Sequence, residues 1–134
     1  METSVRERVL ILGGGFAGLN TAAQLEKLLG ERADVEITLV NRDNYSLFTP
    51  MLAEVAGSGI EPSHIVNPIR AFLKRTRFRA GIVQRVDLEN RRVETMHPQS
   101  HAPTVLPFDR LVIALGSVTN YRNVPGVAER CFAL

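Results

Sequence analysis

The 134-residue sequence is poor in cysteine, and this scarcity excludes several kinds of chemistry. Cys131 is the only cysteine in the chain. A single thiol cannot form an internal disulfide, a cysteine-cluster metal site or a redox-active dithiol. His97 and His101 are four residues apart, but Pro98 between them argues against a helix that would align them. No metal site is therefore predicted.

The sequence also lacks a long apolar run and a surplus of charge of one sign. Its apolar stretch at 9–12 is far shorter than the ~20 residues of a membrane helix or the ~7–15 of a signal-peptide core. We therefore expect a cytoplasmic protein without a membrane span of its own. Sixteen basic and fourteen acidic residues leave a formal charge of +2, so no nucleic-acid partner is expected.

The first 41 residues carry the pattern of a strand, a glycine turn, a helix and a second strand. Residues 9–12 are continuously apolar, which predicts a buried strand of a parallel sheet over about 8–12. Apolar residues then recur at helical spacing over 16–29, and Gly30 stands where a helix C-cap glycine would lie. The β-branched run 35–40 predicts a second strand, and a right-handed crossover would make the two strands parallel neighbours.

Two short helices are predicted after the second strand. Thr49 and Pro50 have the form of an N-cap and a first helical residue, and Gly57 ends the apolar segment that follows them. Asn67 and Pro68 repeat the same start signal before an apolar turn.

The last third of the chain predicts strands. Residues 82–96 alternate with period two around a turn, as antiparallel strands do, whereas 97–107 contains three prolines and is predicted to be a loop. Residues 111–115 predict an apolar strand closed by Gly116. We therefore expect an α/β fold, with the first helix on one face of a parallel sheet and a small antiparallel β-meander, over about 78–96, on the other.

Gly13, Gly15 and Gly18 form the pattern G-x-G-x-x-G between the first strand and the first helix. Gly13 would permit a tight turn, Gly15 would let a diphosphate approach the backbone, and Gly18 would let the helix pack closely on the strand. The helix N-terminus supplies unpaired N–H groups and about half a positive charge, which together bind a diphosphate. The pattern favours a dinucleotide site, and the alternative is a merely structural glycine turn.

The end of the second strand departs from the usual dinucleotide-binding pattern. An acid that binds the adenosine ribose is typical there, but this sequence has Asn41 and Arg42, with Asp43 two positions late. An amide can still accept a hydrogen bond from a ribose hydroxyl, and a guanidinium is a natural partner for adenosine or phosphate. The alternative for Asn41 and Arg42 is a solvated loop.

Three segments make a family resemblance specific. Residues 9–23, 37–70 and 108–117 resemble the type II NADH dehydrogenase-like group of FAD-dependent pyridine nucleotide oxidoreductases. The segment N-Y-x-x-F-x-P-x-L at 44–52 and the A-x-G at 114–116 are more specific to this group than the glycine motif. The resemblance implies a Rossmann-like FAD/NAD(P)-binding three-layer fold.

The resemblance also implies which residues bind FAD. The diphosphate would lie on Gly13, Gly14, Gly15, Phe16, Ala17 and Gly18, the adenosine ribose beside Asn41 and Arg42, the adenine edge on the backbone of Val83, the flavin ring towards Thr49 and Pro50, and the cofactor close to Ala114, Leu115 and Gly116. From the residues alone, Val83 and Leu115 could equally be strand core. From the residues alone, a plain helix start is the favoured interpretation of Thr49 and Pro50.

The implied reaction is hydride transfer from NADH or NADPH to the flavin, followed by reduction of a quinone or another acceptor. No catalytic side chain is required, because the flavin supplies the chemistry. The absence of a cysteine pair after the second strand disfavours a disulfide reductase or a sulfide-oxidising relative. Two alternatives stay open: an NAD(P)-dependent dehydrogenase fragment and a non-catalytic nucleotide-binding module.

The resemblance further implies that residues 1–134 are the amino-terminal segment of a split FAD-binding domain. The NAD(P)H domain and a second FAD segment are then absent, and the isolated chain is expected to be inactive. Its expected partners are a small-molecule electron donor and acceptor, with peripheral membrane contact only in a full-length form. Apolar surface meant for the missing segments would favour self-association.

Overall fold

The computed structural model describes residues 6–29 and 32–131, and these form three layers. In chain order its elements are β1 (Glu7–Leu12), α1 (Phe16–Leu29), β2 (Val35–Asn41), β3 (Tyr45–Leu47), α2 (Leu52–Ala56), β4 (Val66–Pro68), α3 (Ile69–Phe72), β5 (Arg77–Ala80), β6 (Ile82–Asp87), β7 (Arg92–Met96), β8 (Pro103–Pro107), β9 (Arg110–Ile113) and α4 (Val127–Arg130). Two 3₁₀ turns, Thr49–Met51 and Pro62–Ile65, precede α2 and β4. Within the described ranges, no helix combines the length and apolarity that crossing a bilayer requires.

The central layer is a parallel sheet with the strand order β5-β2-β1-β9. Leu12 at the end of β1 pairs with Val40 of β2 on one side and with Ile113 of β9 on the other. The chain therefore leaves β1 towards β2 and later returns to the opposite side of β1. In open α/β sheets, ligands bind at the carboxyl ends of the strands where the order reverses in this way. The predicted parallel pairing of the first two strands is confirmed.

Helix α1 covers one face of this sheet, as predicted. Gly18 and Ala22 are buried on the helix side of the contact. They pack near a core that includes Ile11, Leu39 and Ile69, none of which is exposed. Small residues on the helix let it approach the sheet closely, which fixes where its N-terminus lies. The predicted C-cap glycine, Gly30, lies outside the described residues.

An antiparallel meander of β6, β7 and β8 covers the other face. It differs from the prediction in where it begins and in its third strand. The meander begins at Ile82, because β5 with Phe78 is the fourth strand of the parallel sheet. The alternation of arginine with less exposed residues in β5 suits the edge of a sheet, which explains why no continuous apolar run marks it. The predicted proline-containing loop ends in strand β8, whose two prolines stand at its ends, where edge strands tolerate them.

The segment between β2 and β5 forms a two-stranded antiparallel sheet of β3 and β4 with short helical turns. The predicted short helix at residues 49–56 is present, but Thr49 is not its N-cap, because the first turn already includes Thr49 and follows Phe48. No side-chain hydrogen bond caps that turn. The predicted cap at Asn67 is also wrong, because Pro68 occupies the N-cap position of α3.

Strand β9 is joined to β1 by hydrogen bonds between Arg8 and Asp109, in which each residue donates to the other. The Arg8 backbone N–H and its Nε both donate to Asp109 Oδ2, at 2.8 and 2.9 Å, and Nη2 donates to Oδ1 at 3.0 Å. The Asp109 N–H donates in return to the Arg8 carbonyl oxygen at 2.9 Å. Hydrogen bonds from the Arg8 side chain and backbone lower the pKa of Asp109 to about 2.

Substitution Asp109→Asn is expected to lower the melting temperature at pH 7, because the amide cannot replace the charged acceptor. A carboxyl whose pKa is depressed in the folded state adds stability that is complete above its unfolded value of 3.8 and lost as the pH falls to about 2. The difference in Tm between wild type and variant, measured by circular dichroism, should thus be constant above about pH 5 and shrink as the pH falls below 4. Glu89→Gln in the exposed β6–β7 turn controls for the lost charge, and a difference that persists unchanged to pH 2 would contradict this role of the carboxylate.

Candidate functional site

The turn after β1 is built around Gly13. The Gly13 N–H donates to the Val40 carbonyl oxygen at 2.8 Å, and its φ of 105° lies in a region that L-residues rarely adopt. A Cβ atom at this position would collide with the carbonyl group of Ala114. Gly13 is therefore required by the turn and by the close approach of the chain that follows β9.

Packing within the protein also requires glycine at positions 14 and 18. A Cβ on Gly18 would collide with the Gly13 carbonyl oxygen, so the first turn of α1 rests directly on the glycine turn. A Cβ on Gly14 would lie 2.6 Å from Ile69 Cδ1 and 2.9 Å from the Asn41 side-chain carbon Cγ. The packing at Gly14 was not foreseen from the sequence.

Gly15 differs from these three glycines because a Cβ added to it would meet no protein atom within 4 Å. Gly15 is exposed, and its carbonyl oxygen accepts a hydrogen bond from the Leu19 N–H at 3.0 Å at the start of α1. Protein packing thus explains three glycines of the loop but not this one. The open space over Gly15 lets another molecule approach the backbone, which is the fit expected for a diphosphate.

The N-terminus of α1 points into the same open space. Phe16 and Ala17 form the exposed start of the helix, whose first N–H groups have no acceptor within the helix. The first turn carries no acidic residue. Aligned peptide dipoles place about half a positive charge at this end, so the site suits an anion without any basic side chain.

Asn41 lies against the glycine loop. Its Oδ1 accepts a hydrogen bond from the Gly14 N–H at 2.9 Å, and its Nδ2 donates to the Asp43 carbonyl oxygen at 2.9 Å. Its amide therefore already has a partner at each polar atom. The predicted solvated-loop alternative does not describe Asn41, which is half-buried.

Arg42 is 71% exposed at its side chain and pairs with Asp43, with 3.0 Å between Nε and Oδ2. It lines a cavity of about 550 Å³ beyond the carboxyl ends of β2 and β5, together with Arg70 and His97. The structure thus places Arg42 next to a space into which the adenosine end of a dinucleotide could extend.

The segment after β9 reaches the glycine turn. Ala114 donates its N–H to the Leu12 carbonyl oxygen at 2.8 Å and lies against Gly13. The strand ends at Ile113, two residues before the predicted end, so Leu115 is not strand core and is 54% exposed. Gly116 has a φ of 75° in the left-handed region. These residues therefore lie at the reversal point of the sheet, beside the end of β1.

Thr49 and Pro50 are brought towards the same end of the molecule by an aromatic contact that the sequence did not reveal. The rings of Phe16 and Phe48 meet edge to face, with centroids 5.4 Å apart and an interplanar angle of 65°. Phe48 directly precedes Thr49, and both Thr49 and Pro50 are exposed. The signal available in the sequence was the phenylalanine of the segment at 44–52.

Val83 lies in strand β6, in the strand-core environment that was one of the two considered for it. Its side chain packs against the meander core with Val93 and Leu106. Its backbone pairs with Thr95 beside a register shift in β6. The preceding Gly81 donates its N–H to the Asn41 carbonyl oxygen at 2.9 Å, so the start of β6 lies next to the end of β2.

The comparisons with a protein-family model, with curated relatives and with solved structures agree with one another. The family model of the pyridine nucleotide-disulphide oxidoreductases matches residues 7–134. The chain is 36% identical over 130 residues to a demethylphylloquinone reductase of Synechocystis sp., covering 95% of this chain and 32% of the relative. It is 30% identical over 131 residues to a type II NADH:quinone oxidoreductase of Staphylococcus aureus, covering 96% and 31%.

Among solved structures, the chain resembles NDH2 of Plasmodium falciparum in complex with NADH. The TM-score is 0.81 at 25% sequence identity, and the match covers 92% of this chain and 25% of that one. The chain spans about a third of the length of the curated relatives it matches. The resemblance read from the three sequence segments and the Rossmann-like fold it implied are both confirmed.

Proposed function

The chain belongs to the pyridine nucleotide-disulphide oxidoreductase family, and from this membership we propose that it is the FAD-binding portion of an NAD(P)H:quinone oxidoreductase. The observation that carries the proposal is the open backbone at Gly15, at the N-terminus of α1, within a loop whose other glycines are packed against protein. Residues 1–134 are proposed to be the amino-terminal segment of a split FAD-binding domain, which other segments complete.

The proposed contacts follow the course of a dinucleotide across the sheet. The diphosphate would lie over Gly15 and the first N–H groups of α1, because that is where an anion finds donors and a positive dipole end. The adenosine half would extend from β1 over β2, towards Asn41, Arg42 and the backbone of Val83. Two observations support this direction: the cavity beside Arg42 and the hydrogen bond that ties Gly81 to Asn41.

The flavin half would extend the other way, across the reversal point of the sheet. The residues proposed to lie on that side are Thr49 and Pro50, which follow Phe48, and Ala114, Leu115 and Gly116, which follow β9. When bound, FAD would supply a two-electron acceptor for a hydride from NADH or NADPH. The part of this chain is then to bind and orient the cofactor, and no catalytic side chain is proposed in it.

The electron donor and acceptor are inferred from the names of the relatives, whereas FAD is inferred from membership of the family. Both curated relatives are named as reductases of quinones, and one is named for NADH. The proposal therefore includes a quinone as acceptor and a nicotinamide nucleotide as donor. It also includes, as a separate expectation, a cytoplasmic location with peripheral membrane contact in a full-length form. The glycine loop alone would serve a nicotinamide dinucleotide equally well, since the diphosphate is bound in the same way.

A titration of the purified chain with FAD, NAD⁺ and ADP separates these possibilities. We expect FAD to bind most tightly, with quenching of flavin fluorescence, and ADP to compete with it because both place a diphosphate on the same loop. Binding of NAD⁺ in preference to FAD would instead indicate a nicotinamide site. Absence of binding for all three would contradict the proposed dinucleotide site.

A further inference from the structure

We propose that Asn41 is a positioning residue that holds the glycine loop in its diphosphate-binding shape, and that only an amide can hold it so. The inference rests on the proposed function and assigns to Asn41 a role different from that of a ribose ligand. It predicts that the acid typical of this position in dinucleotide-binding folds would weaken cofactor binding in this chain.

The contacts of Asn41 fix the orientation of its amide. Oδ1 faces a donor, the Gly14 N–H at 2.9 Å, and Nδ2 faces an acceptor, the Asp43 carbonyl oxygen at 2.9 Å. A flipped amide would place N–H against N–H and oxygen against oxygen. The side chain therefore links the glycine loop to the turn after β2 through one donor and one acceptor.

Close packing around Gly14 also restrains the glycine loop. Gly14 is buried, and any side chain on it would meet Ile69 Cδ1 and the Asn41 side chain. Ile69 is itself tied to the turn after β2, because its N–H donates to the Asn44 carbonyl oxygen at 3.0 Å. Gly14 therefore lies between Asn41 and Ile69, and both of these residues are hydrogen-bonded to the turn after β2, which with them forms one fixed unit. The position of Gly15, one residue later, depends on that unit.

An aspartate at position 41 would keep the acceptor for Gly14 but lose the donor to Asp43. A carboxylate oxygen would then face the Asp43 carbonyl oxygen at hydrogen-bond distance, and the two oxygens would repel each other. Leaving such a partner unsatisfied is expected to lower FAD affinity by about 5- to 100-fold, which corresponds to about 1–3 kcal/mol. Were Asn41 mainly a ribose ligand, the added charge would raise the affinity instead.

The test compares Asn41→Asp and Asn41→Ala with wild type in two measurements. The first is the dissociation constant for FAD by flavin fluorescence, with Gln24→Glu on the exposed side of α1 as the control for added negative charge. We expect both variants at Asn41 to bind FAD about 5- to 100-fold more weakly, and Gln24→Glu to stay within about twofold of wild type. Equal or tighter binding by Asn41→Asp would overturn the proposal.

The second measurement is hydrogen exchange of the Gly14 amide by NMR in the chain without FAD. The Gly14 N–H should be protected in wild type and should exchange faster in Asn41→Ala, which adds no charge and removes both hydrogen bonds. Unchanged protection in Asn41→Ala would also overturn the proposal. Because this readout needs no cofactor, failure of wild type to bind FAD would count against the proposed function alone.

Discussion

Replacing Gly15 with aspartate is expected to lower the affinity of the chain for FAD about a thousandfold while leaving its stability unchanged or slightly raised. A carboxylate about 4 Å from one charge of the diphosphate costs about 4 kcal/mol at an effective dielectric constant near 20, which is about three powers of ten in affinity. The fold should tolerate the substitution, because a side chain at Gly15 meets no protein atom and aspartate is a favoured helix N-cap.

Gly15→Ser is the matched control, because serine also caps helices but adds no charge. FAD titrations and thermal unfolding of both variants separate charge from bulk: Gly15→Ser should lose clearly less affinity than Gly15→Asp, and both should melt at or above the wild-type temperature. High salt should restore part of the affinity of Gly15→Asp. Undiminished FAD binding by Gly15→Asp would show that the diphosphate does not lie at this helix N-terminus.

Replacing Gly13 with alanine is expected to have the largest effect on stability, with a loss of about 2–6 kcal/mol from backbone strain and steric overlap together. The φ of 105° is unfavourable for alanine, and the added Cβ would collide with the carbonyl group of Ala114. A loss of this size is a large part of the ~5–15 kcal/mol that stabilises a typical domain. Urea unfolding followed by circular dichroism measures it directly.

Gly116→Ala provides the control for conformational strain alone. Its φ of 75° is also in the left-handed region, but a Cβ there would meet nothing within 4 Å, so a cost of only about 1–2 kcal/mol is expected. The difference between the two variants then measures the overlap with Ala114. Equal losses for Gly13→Ala and Gly116→Ala would show that the turn after β1 relaxes freely around a side chain.

The βαβ unit could be predicted because its signals are local. A continuous apolar run, a glycine motif and a helical repeat each occupy a few consecutive residues, and they gave β1, α1 and β2 within one residue at the boundaries that the structure describes. The roles of Gly13 and Gly18 also followed from local reasoning, since the turn and the helix contact both lie within the motif. The open space at Gly15 agrees with the role predicted for it, which is to let a diphosphate approach the backbone.

The elements that were missed depend on contacts between distant residues. Strand β5 pairs Arg77 with Thr38 at the sheet edge, and nothing near Arg77 in the sequence indicates that partner. Strand β8 contains prolines that normally argue against a strand, and it exists because β7 pairs with its full length. The contact of Asn41 with Gly14 joins residues 27 apart, so the sequence showed an unusual residue at this position but not what it holds.

The visible absorption spectrum of the purified chain, recorded after saturation with FAD and passage through a desalting column, is the most direct test of the proposed cofactor site. We expect wild type to retain the flavin absorption bands at close to one FAD per chain and Gly15→Asp to emerge colourless. A colourless wild-type chain that remains folded by circular dichroism would contradict the proposal that this chain is the FAD-binding portion of an oxidoreductase.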